Sequence, residues 1–227
     1  MANTNKYGEQ DWADVKVSGD KEKVDFMRLN EGSNVVRILT LPHAYYQHRF
    51  TPEGGKKYGY RISCSDPEHR TDCPLCELGN KPVRKWFLGV IDRKSNAYKV
   101  LDIGFSIFKD IQKYARDEDW GPDVSQFDMD IVNDPSAGPQ RYSCVCKPKK
   151  PLSASDLQIK EEHPTDVLVV KSAPPSRDSV QGYFDHILEE LKASGNPFTG
   201  STAVASGDSG KSDDEDTDTF FKDYDKK

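Results

Sequence analysis

This chain of 227 residues has no long apolar segment, few cysteines and little hydrophobic surplus. Hydrophobic residues make up 35% of it and charged residues 31%, and no stretch approaches the roughly 18 consecutive apolar residues that a membrane span needs. The first residues, MANTNK, contain no apolar signal-peptide core. These absences predict a cytoplasmic protein with no membrane segment, in which only part of the chain forms a packed core.

The five cysteines are an odd number, which argues against a disulfide framework. Three of them lie close together, and Cys73-Pro-Leu-Cys76 has the spacing that lets two thiolates reach one tetrahedral ion, with Cys64 nearby. Chance burial of small apolar side chains is a weak alternative, because the surrounding loop is hydrophilic and offers no core. We therefore predict that a metal ion orders this loop, and zinc suits thiolate and imidazole ligands best.

The fourth ligand is not determined by spacing, because His43, His48 and His69 are all within reach. Cys144 and Cys146 form a further pair, but on an alternating strand they share one face and indicate ordinary packing. An ion with four protein ligands is structural rather than catalytic. Because nothing marks a general base, we expect a binding protein and not an enzyme such as a metal-dependent nuclease.

Charge is distributed unevenly along the chain, whose formal net charge is −6. Residues 208–227 contain eight acidic residues against four lysines, whereas residues 37–99 contain 12 Lys and Arg against six acidic residues. A basic middle and an acidic end are typical of a protein that binds a polyanion and whose acidic segment competes for the same surface.

Apolar periodicity predicts mainly β-structure with two helices. The predicted strands cover residues 35–39, 45–50, 57–63, 86–92, 98–103, 128–132, 140–147 and 167–170, and the helices cover 106–117, capped by Ser106, and 179–192. Strands do not alternate with helices, which favours a small β-barrel over a doubly wound sheet.

The domain organisation follows from the composition. We predict a flexible arm over residues 1–22, a core over 23–195 with a zinc subdomain over about 43–82, and a disordered acidic tail over 196–227, where Ser, Thr, Gly and Asp dominate.

Residues 38–113 resemble the zinc-containing single-stranded-DNA-binding protein of T-even-type bacteriophages, a helix-destabilising protein. The likeness lies in Arg37-Ile-Leu to Pro42, in His48-Arg-Phe before a Gly-Lys-Lys-Tyr-Gly-Tyr segment, in Cys64 and Cys73-Pro-Leu-Cys76, and in the strands after Trp86. The resemblance implies a mainly β, Greek-key OB-fold with an inserted zinc subdomain. It also implies that His48, Cys64, Cys73 and Cys76 hold one structural Zn²⁺, and that His69 is not a ligand.

Single-strand binding needs cations along the phosphates and flat apolar faces on which bases stack. The predicted cations are Arg37, Arg49, Lys56, Lys57, Arg61, Arg84, Lys85, Arg93, Lys94 and Lys99; the predicted platforms are Tyr45, Tyr46, Tyr58, Tyr60, Trp86, Tyr98 and Phe105. Core packing is the alternative for any one aromatic residue, above all for Phe105.

The acidic end is predicted to compete with DNA and to recruit proteins of phage DNA replication, recombination and repair, such as a polymerase, a helicase or its loader, or a recombinase mediator. The residues expected to do so are Asp213, Asp214, Glu215, Asp216, Asp218, Phe220 and Phe221. The resemblance places the protein in the cytoplasm of an infected bacterium and implies self-association on DNA, although residues 1–25 lack the family's Lys/Arg-Ser-Thr motif. The alternative function is a zinc-stabilised protein-interaction module of a phage replication or transcription complex.

Overall fold

The fold is a single mixed sheet with helices around it, in a computed structural model that describes residues 24–50, 59–163 and 165–193. The strands are β1 Phe26–Met27, β2 Gly32–Ile38, β3 His43–Phe50, β4 Tyr60–Ser63, β5 Val83–Asp92, β6 Ala97–Ile103, β7 Asp128–Asn133 and β8 Tyr142–Cys146. The helices are α1 Pro74–Glu77, α2 Phe105–Arg116, α3 Ala154–Glu162, α4 Asp166–Ser172 and α5 Arg177–Ala193, with 3-10 turns at Val124–Gln126 and Pro135–Gln140. The predicted mainly β class is confirmed.

The sheet is organised around β5, whose 10 residues pair with three other strands. The main order is β1-β6-β5-β2-β7-β8, while β3 pairs with the start of β5 and β4 pairs with the end of β3. The β1–β6 pair is parallel, and the other described pairs are antiparallel. As a result β3 and β4 extend beyond the main sheet, where the cysteine segment follows.

The main core lies on one face of the sheet, beneath α2. Because side chains alternate across a strand, Leu88 and Val90 of β5 point to the same side as Trp86. Helix α2 covers this side with Ile107 and Ile111, which are spaced one helical turn apart. Helix α2 also lies beside the start of β5, where Phe108 stacks on Trp86.

Two predicted helices are confirmed as α2 and α5, but the strand predicted at 167–170 is wrong. That segment lies within α4, which places Leu168 against Tyr45 and Phe87 on the outer face of the sheet. The preference of consecutive valines for strands is weak, and burial of a single helical side chain overrides it.

Helix α3 was not predicted, and its sequence signal is a capping box. The Ser153 side chain accepts from the Asp156 backbone N–H, and the Asp156 carboxylate accepts from the Ser153 backbone N–H. The predicted cap of α2 is wrong, because the helix begins after Gly104 and no side chain caps it.

Arg37, predicted as a DNA contact, is instead buried, with 1% of its surface exposed. Its guanidinium donates to the Asp128 carboxylate at 2.5 Å and to the backbone carbonyls of Ser125 and Lys150 at 3.0 and 2.8 Å. Arg93 donates to the same carboxylate at 2.8 Å. Arg37 therefore ties β2 to the chain before β7 and after β8. The prediction that Arg37 contacts DNA is wrong, because its side chain is buried and paired.

The predicted arm at 1–22 and the predicted tail at 196–227 lie outside the described residues, as do Lys56, Lys57, Tyr58 and the seven tail residues named above. Within the described residues, the helices are too short or too polar to cross a membrane.

Replacing Arg37 by Leu is expected to destabilise the fold by about 3 kcal/mol, because it leaves buried carbonyls unpaired and removes one partner of a buried ion pair. The same change at exposed Arg61 is expected to cost less than about 0.5 kcal/mol. Urea unfolding monitored by circular dichroism measures both. Equal stability of the two variants would contradict the buried role of Arg37.

Candidate metal centre and adjoining surfaces

Four side chains that the sequence separates converge into one buried cluster. One ligand atom from each of His48, Cys64, Cys73 and Cys76 lies within 4.8 Å of the other three. His48, Cys64 and Cys73 are buried, and Cys76 is half-buried. The set can hold a metal ion, and its choice of His48 agrees with the resemblance.

The spacing within the cluster matches a tetrahedral shell. The Sγ atoms of Cys64 and Cys76 are 3.7 Å apart, and Nε2 of His48 lies 3.3 Å from the Sγ of Cys73 and 3.7 Å from that of Cys76. Zinc bonds of about 2.3 Å to sulfur and about 2.0 Å to nitrogen give tetrahedral edges of about 3.8 Å and about 3.5 Å. These three of the six ligand–ligand distances therefore match a tetrahedral Zn²⁺ shell, and all six are within 4.8 Å.

Local structure presents each ligand. His48 lies on β3 directly opposite Ile62 of β4, so it points to the side of the sheet where the chain turns back after Cys64. Cys73 immediately precedes α1 and Cys76 lies within it, with Pro74 at the first helical position, where its missing N–H does no harm. The strand and the tight turn thus place the ligand nitrogen of His48 and the sulfur atoms of Cys73 and Cys76 next to one another.

The protonation of the thiols depends on burial and on backbone donors. Burial raises the pKa of Cys64 above its usual range and raises that of Cys76 to about 11. Burial also raises the pKa of Cys73, but backbone N–H groups of Cys76, Ser65 and Leu75 donate to its sulfur and bring the pKa down to about 6. The Cys73 thiol is thus the most easily ionised of the three, and a bound cation would favour the thiolate form of the other two.

The loop between Cys64 and Cys73 has a second source of order, contrary to the prediction that only a metal fixes it. The Asp66 carboxylate accepts from the backbone N–H groups of His69, Thr71 and Asp72 at 3.0, 2.9 and 3.0 Å. These bonds lower the pKa of Asp66 to about 2. His69 is exposed on this loop and takes no part in the cluster, as expected.

Asn80, which the sequence analysis missed, supports the histidine ligand. With Nε2 of His48 facing the cysteines, its Nδ1–H donates to Oδ1 of Asn80 at 3.2 Å. The Asn80 amide in turn donates to the backbone carbonyl of Arg49 at 3.0 Å. Asn80 is buried, and its role depends on a contact 32 residues apart, which no local pattern reveals.

Helix α5 completes the metal subdomain from far along the chain. Its buried face packs against Tyr60, Ile62, Leu75 and the cysteines through Val180, Phe184, Ile187 and Leu191. At the start of the helix, Arg177 pairs with both carboxylate oxygens of Glu77 at 2.6 and 2.9 Å. The hydrophobic side chains of the subdomain predicted at about 43–82 are thus buried by residues 177–191 of α5.

Five of the predicted DNA contacts are buried. Arg37, Tyr45, Tyr60, Lys85 and Trp86 each expose 6% or less of their surface. Their strands pack on both faces, so alternation alone could not identify an exposed side. They are unavailable for stacking or for phosphate contact in this conformation.

The remaining predicted contacts divide between the two faces of the sheet. Tyr46 lies opposite Arg84 in the β3–β5 pair, on the face that carries the metal centre. Arg49 lies opposite Arg61 in the β3–β4 pair, and both are exposed on the other face. That face also carries Lys85, which is paired with Asp102.

Residues predicted near the β5–β6 turn are mostly engaged with other side chains. Arg93 pairs with Asp128 and Asp156, and Lys99 pairs with Asp92 at 2.9 Å. The ring of Tyr98 stacks on that of His163 with centroids 4.3 Å apart, and Lys94 is exposed. Arg93, Tyr98 and Lys99 are therefore held by other side chains at this end of the sheet.

A continuous aromatic strip runs from the metal centre to α2. The Arg84 guanidinium lies over the rings of Tyr46 and Trp86, 5.8 and 5.6 Å from their centroids. The Trp86 ring stacks on Phe108 of α2 at 3.9 Å, with an interplanar angle of 6°. We call Tyr46, Arg84, Trp86 and Phe108 the aromatic strip.

The strip is extended by α2. Phe105, a predicted platform, is half-buried there, and Lys109 lies over its ring at 5.9 Å. Neither Phe108 nor Lys109 is among the contacts predicted from the sequence. The helical spacing of 105, 108 and 109 is the signal that could have linked them.

Comparisons with protein-family models, with curated proteins and with solved structures find no match for this chain.

Replacing Cys73 by Ser is expected to abolish stoichiometric zinc binding, because it removes one of four ligands from a site that the others cannot close. Cys146→Ser is the matched control, because Cys146 packs against the main core. Atomic absorption after dialysis, and the thiolate bands of the Co²⁺ form, measure the outcome. Metal-free wild-type protein, or equal metal in both variants, would contradict the site.

Replacing Asn80 by Ala is expected to weaken zinc affinity roughly 10–100-fold, because the His48 ring loses the acceptor that orients it. Asn80→Asp keeps an acceptor toward Nδ1 but loses the donor to the Arg49 carbonyl, so it should lose less affinity than Asn80→Ala. Competition with a chromophoric chelator measures both. Equal losses in the two variants would show that orientation of His48 is not the cause.

Proposed function

We propose that this protein binds single-stranded DNA without sequence preference and protects it during phage DNA replication, recombination and repair. The proposal includes an OB-type core, with the strand bound along the side of the sheet that faces the metal subdomain. The observation that carries it is the aromatic strip, in which a guanidinium lies over two aromatic rings, beside a His–Cys cluster of the kind that the resemblance implies.

Bases would stack at the half-buried positions of this surface. Tyr46 and Phe105 expose part of their rings, whereas Trp86 lies beneath Arg84 and acts as a support. Each stacked base contributes about 1–3 kcal/mol, and every base has a face to offer, so stacking tolerates any sequence. Duplex DNA hides these faces, and preference for single strands follows.

Cations beside the rings would hold the phosphates. Arg84 and Lys109 each lie over an aromatic ring, which keeps a positive charge next to a stacked base. Each phosphate that a cation neutralises releases counterions, so affinity should fall steeply with salt. The Arg49–Arg61 pair on the other face would contact only a strand that bends around the β3–β4 edge.

The ion would act structurally. Held by His48, Cys64, Cys73 and Cys76, it supplies charge that keeps the buried thiolates ionised and the loop closed on β3. Tyr46 packs against the same cluster, so the order of the metal subdomain sets the position of one end of the strip.

The segment after residue 195 would recruit replication and recombination proteins and compete with DNA, as its acidic composition suggests. The host setting, the cytoplasm of an infected bacterium, and self-association on DNA belong to the same proposal and rest on the resemblance.

A zinc-stabilised protein-interaction module is the second candidate function. Val169 and Val170 of α4 are 53% and 73% exposed, and exposed apolar side chains on one helix favour a protein partner. This function predicts that DNA affinity is weak and does not depend on the aromatic strip.

Oligo-dT is expected to bind far more tightly than duplex of the same length, and Tyr46→Ala and Arg84→Ala are each expected to weaken that binding roughly tenfold. Arg28→Ala, at an exposed arginine directly after β1 and outside the aromatic strip, is the control and should change little. Fluorescence anisotropy at two salt concentrations measures all of these. Equal affinity for duplex, or no effect of either strip variant, would overturn the proposed function.

A further inference from the structure

An apolar pocket lies between α2 and the turn that joins β2 to β3. Its volume is about 290 Å³. Leu88 and Ile103 of the sheet form its floor, and Leu41, whose surface is 81% exposed, forms its rim. Pockets for whole drug-sized ligands begin at about 300 Å³, so this one suits a single small ring system. We call it the α2 pocket.

The α2 pocket continues the aromatic strip. Phe108 stacks on Trp86 with one face and also lines the pocket. A strand that follows the strip from Tyr46 toward α2 therefore reaches the pocket mouth next.

The helix beside the pocket carries positive charge on its exposed side. Lys109, Lys113 and Arg116 are exposed and recur at helical spacing, and Arg116 also lines the pocket. Three acidic residues, Asp117, Glu118 and Asp119, follow directly. Phosphates are thus attracted along α2 and repelled beyond its end, which marks the pocket as an end point of the track.

We propose that the α2 pocket accepts one nucleobase of a bound single strand, while Lys113 and Arg116 contact its neighbouring phosphates. This subsite rests on the proposed function and adds a defined position at one end of it. The pocket walls are apolar, with Ile111 and Ala115 contributed by α2. Gln112 at the same wall offers both a donor and an acceptor, so it can serve the polar edge of any base.

Filling the pocket tests the proposal. Ala115→Phe should weaken oligo-dT binding roughly tenfold, the loss of one stacked base. Ala137→Phe, the same change at an exposed position of the Pro135–Gln140 turn, is the control and should leave affinity unchanged. Thermal unfolding checks that both variants fold. Unchanged affinity of a folded Ala115→Phe variant would overturn the proposal.

A second variant avoids the interior. Leu41→Glu puts a carboxylate at the rim, where it repels phosphates, and because Leu41 is exposed the fold should not suffer. Leu157→Glu on α3, also an exposed leucine, is its control. A lower affinity only for Leu41→Glu supports the subsite, whereas equal affinities overturn it.

Location is tested by photocross-linking. Oligo-dT containing 5-iododeoxyuridine should cross-link to the segment 105–116, and Ala115→Phe should remove that product. Lys113→Ala should reduce the salt slope of binding by about 1, and Lys149→Ala, an exposed lysine after β8, should not.

The outcomes separate the two proposals. If oligo-dT binds tightly but cross-links fall only outside 105–116, the subsite is wrong and the proposed function stands. If oligo-dT does not bind better than duplex, both fail. Binding of an apolar peptide at the pocket that DNA does not displace would assign it to a protein partner and overturn the nucleobase proposal.

Discussion

The architecture of this protein depends on the convergence of one imidazole and three thiols. His48 comes from β3, Cys64 from the end of β4, and Cys73 and Cys76 from the turn around α1. Burial disfavours ionisation of Cys64 and Cys76, so the cluster is most stable when a cation balances the thiolates. Because Tyr46 and α5 pack against the cysteines of this cluster, the constraint extends from the four ligands to the aromatic strip.

The sheet divides the basic and aromatic residues by a simple rule. Successive side chains on a strand point to opposite faces, so Tyr45 and Lys85 lie on one face and Tyr46 and Arg84 on the other. The first pair is buried with Asp102, and the second pair joins the aromatic strip. In this basic, aromatic stretch of sequence, the side chains on one face are therefore buried, and those on the other face belong to the aromatic strip.

Cations in the middle of the sequence are partly neutralised by acids from its second half. The Asp128 carboxylate accepts hydrogen bonds from Arg37 and Arg93. Both carboxylate oxygens of Asp156 accept hydrogen bonds from Arg93. Such networks join β2, the β5–β6 turn and α3, and they stabilise the arrangement only while each buried charge keeps its partner. Fewer positive charges are therefore left unpaired than the 12 Lys and Arg of residues 37–99 suggest. The cations of α2 lie outside that range and were not part of this number.

The sequence by itself determined that Cys73 and Cys76 lie in one cluster, and it determined the positions of most strands and of the two longer helices. Each of these depends on spacing within a few residues. It left three histidines open, placed a strand where α4 lies, and could not tell buried from exposed members of the basic and aromatic set. Tertiary structure decided these: His48 joins the cysteines, Asn80 orients it, and Arg37 is buried on Asp128. The physical reason is that burial and charge pairing depend on which distant segments of the chain come into contact. Local periodicity does not predict such long-range contacts.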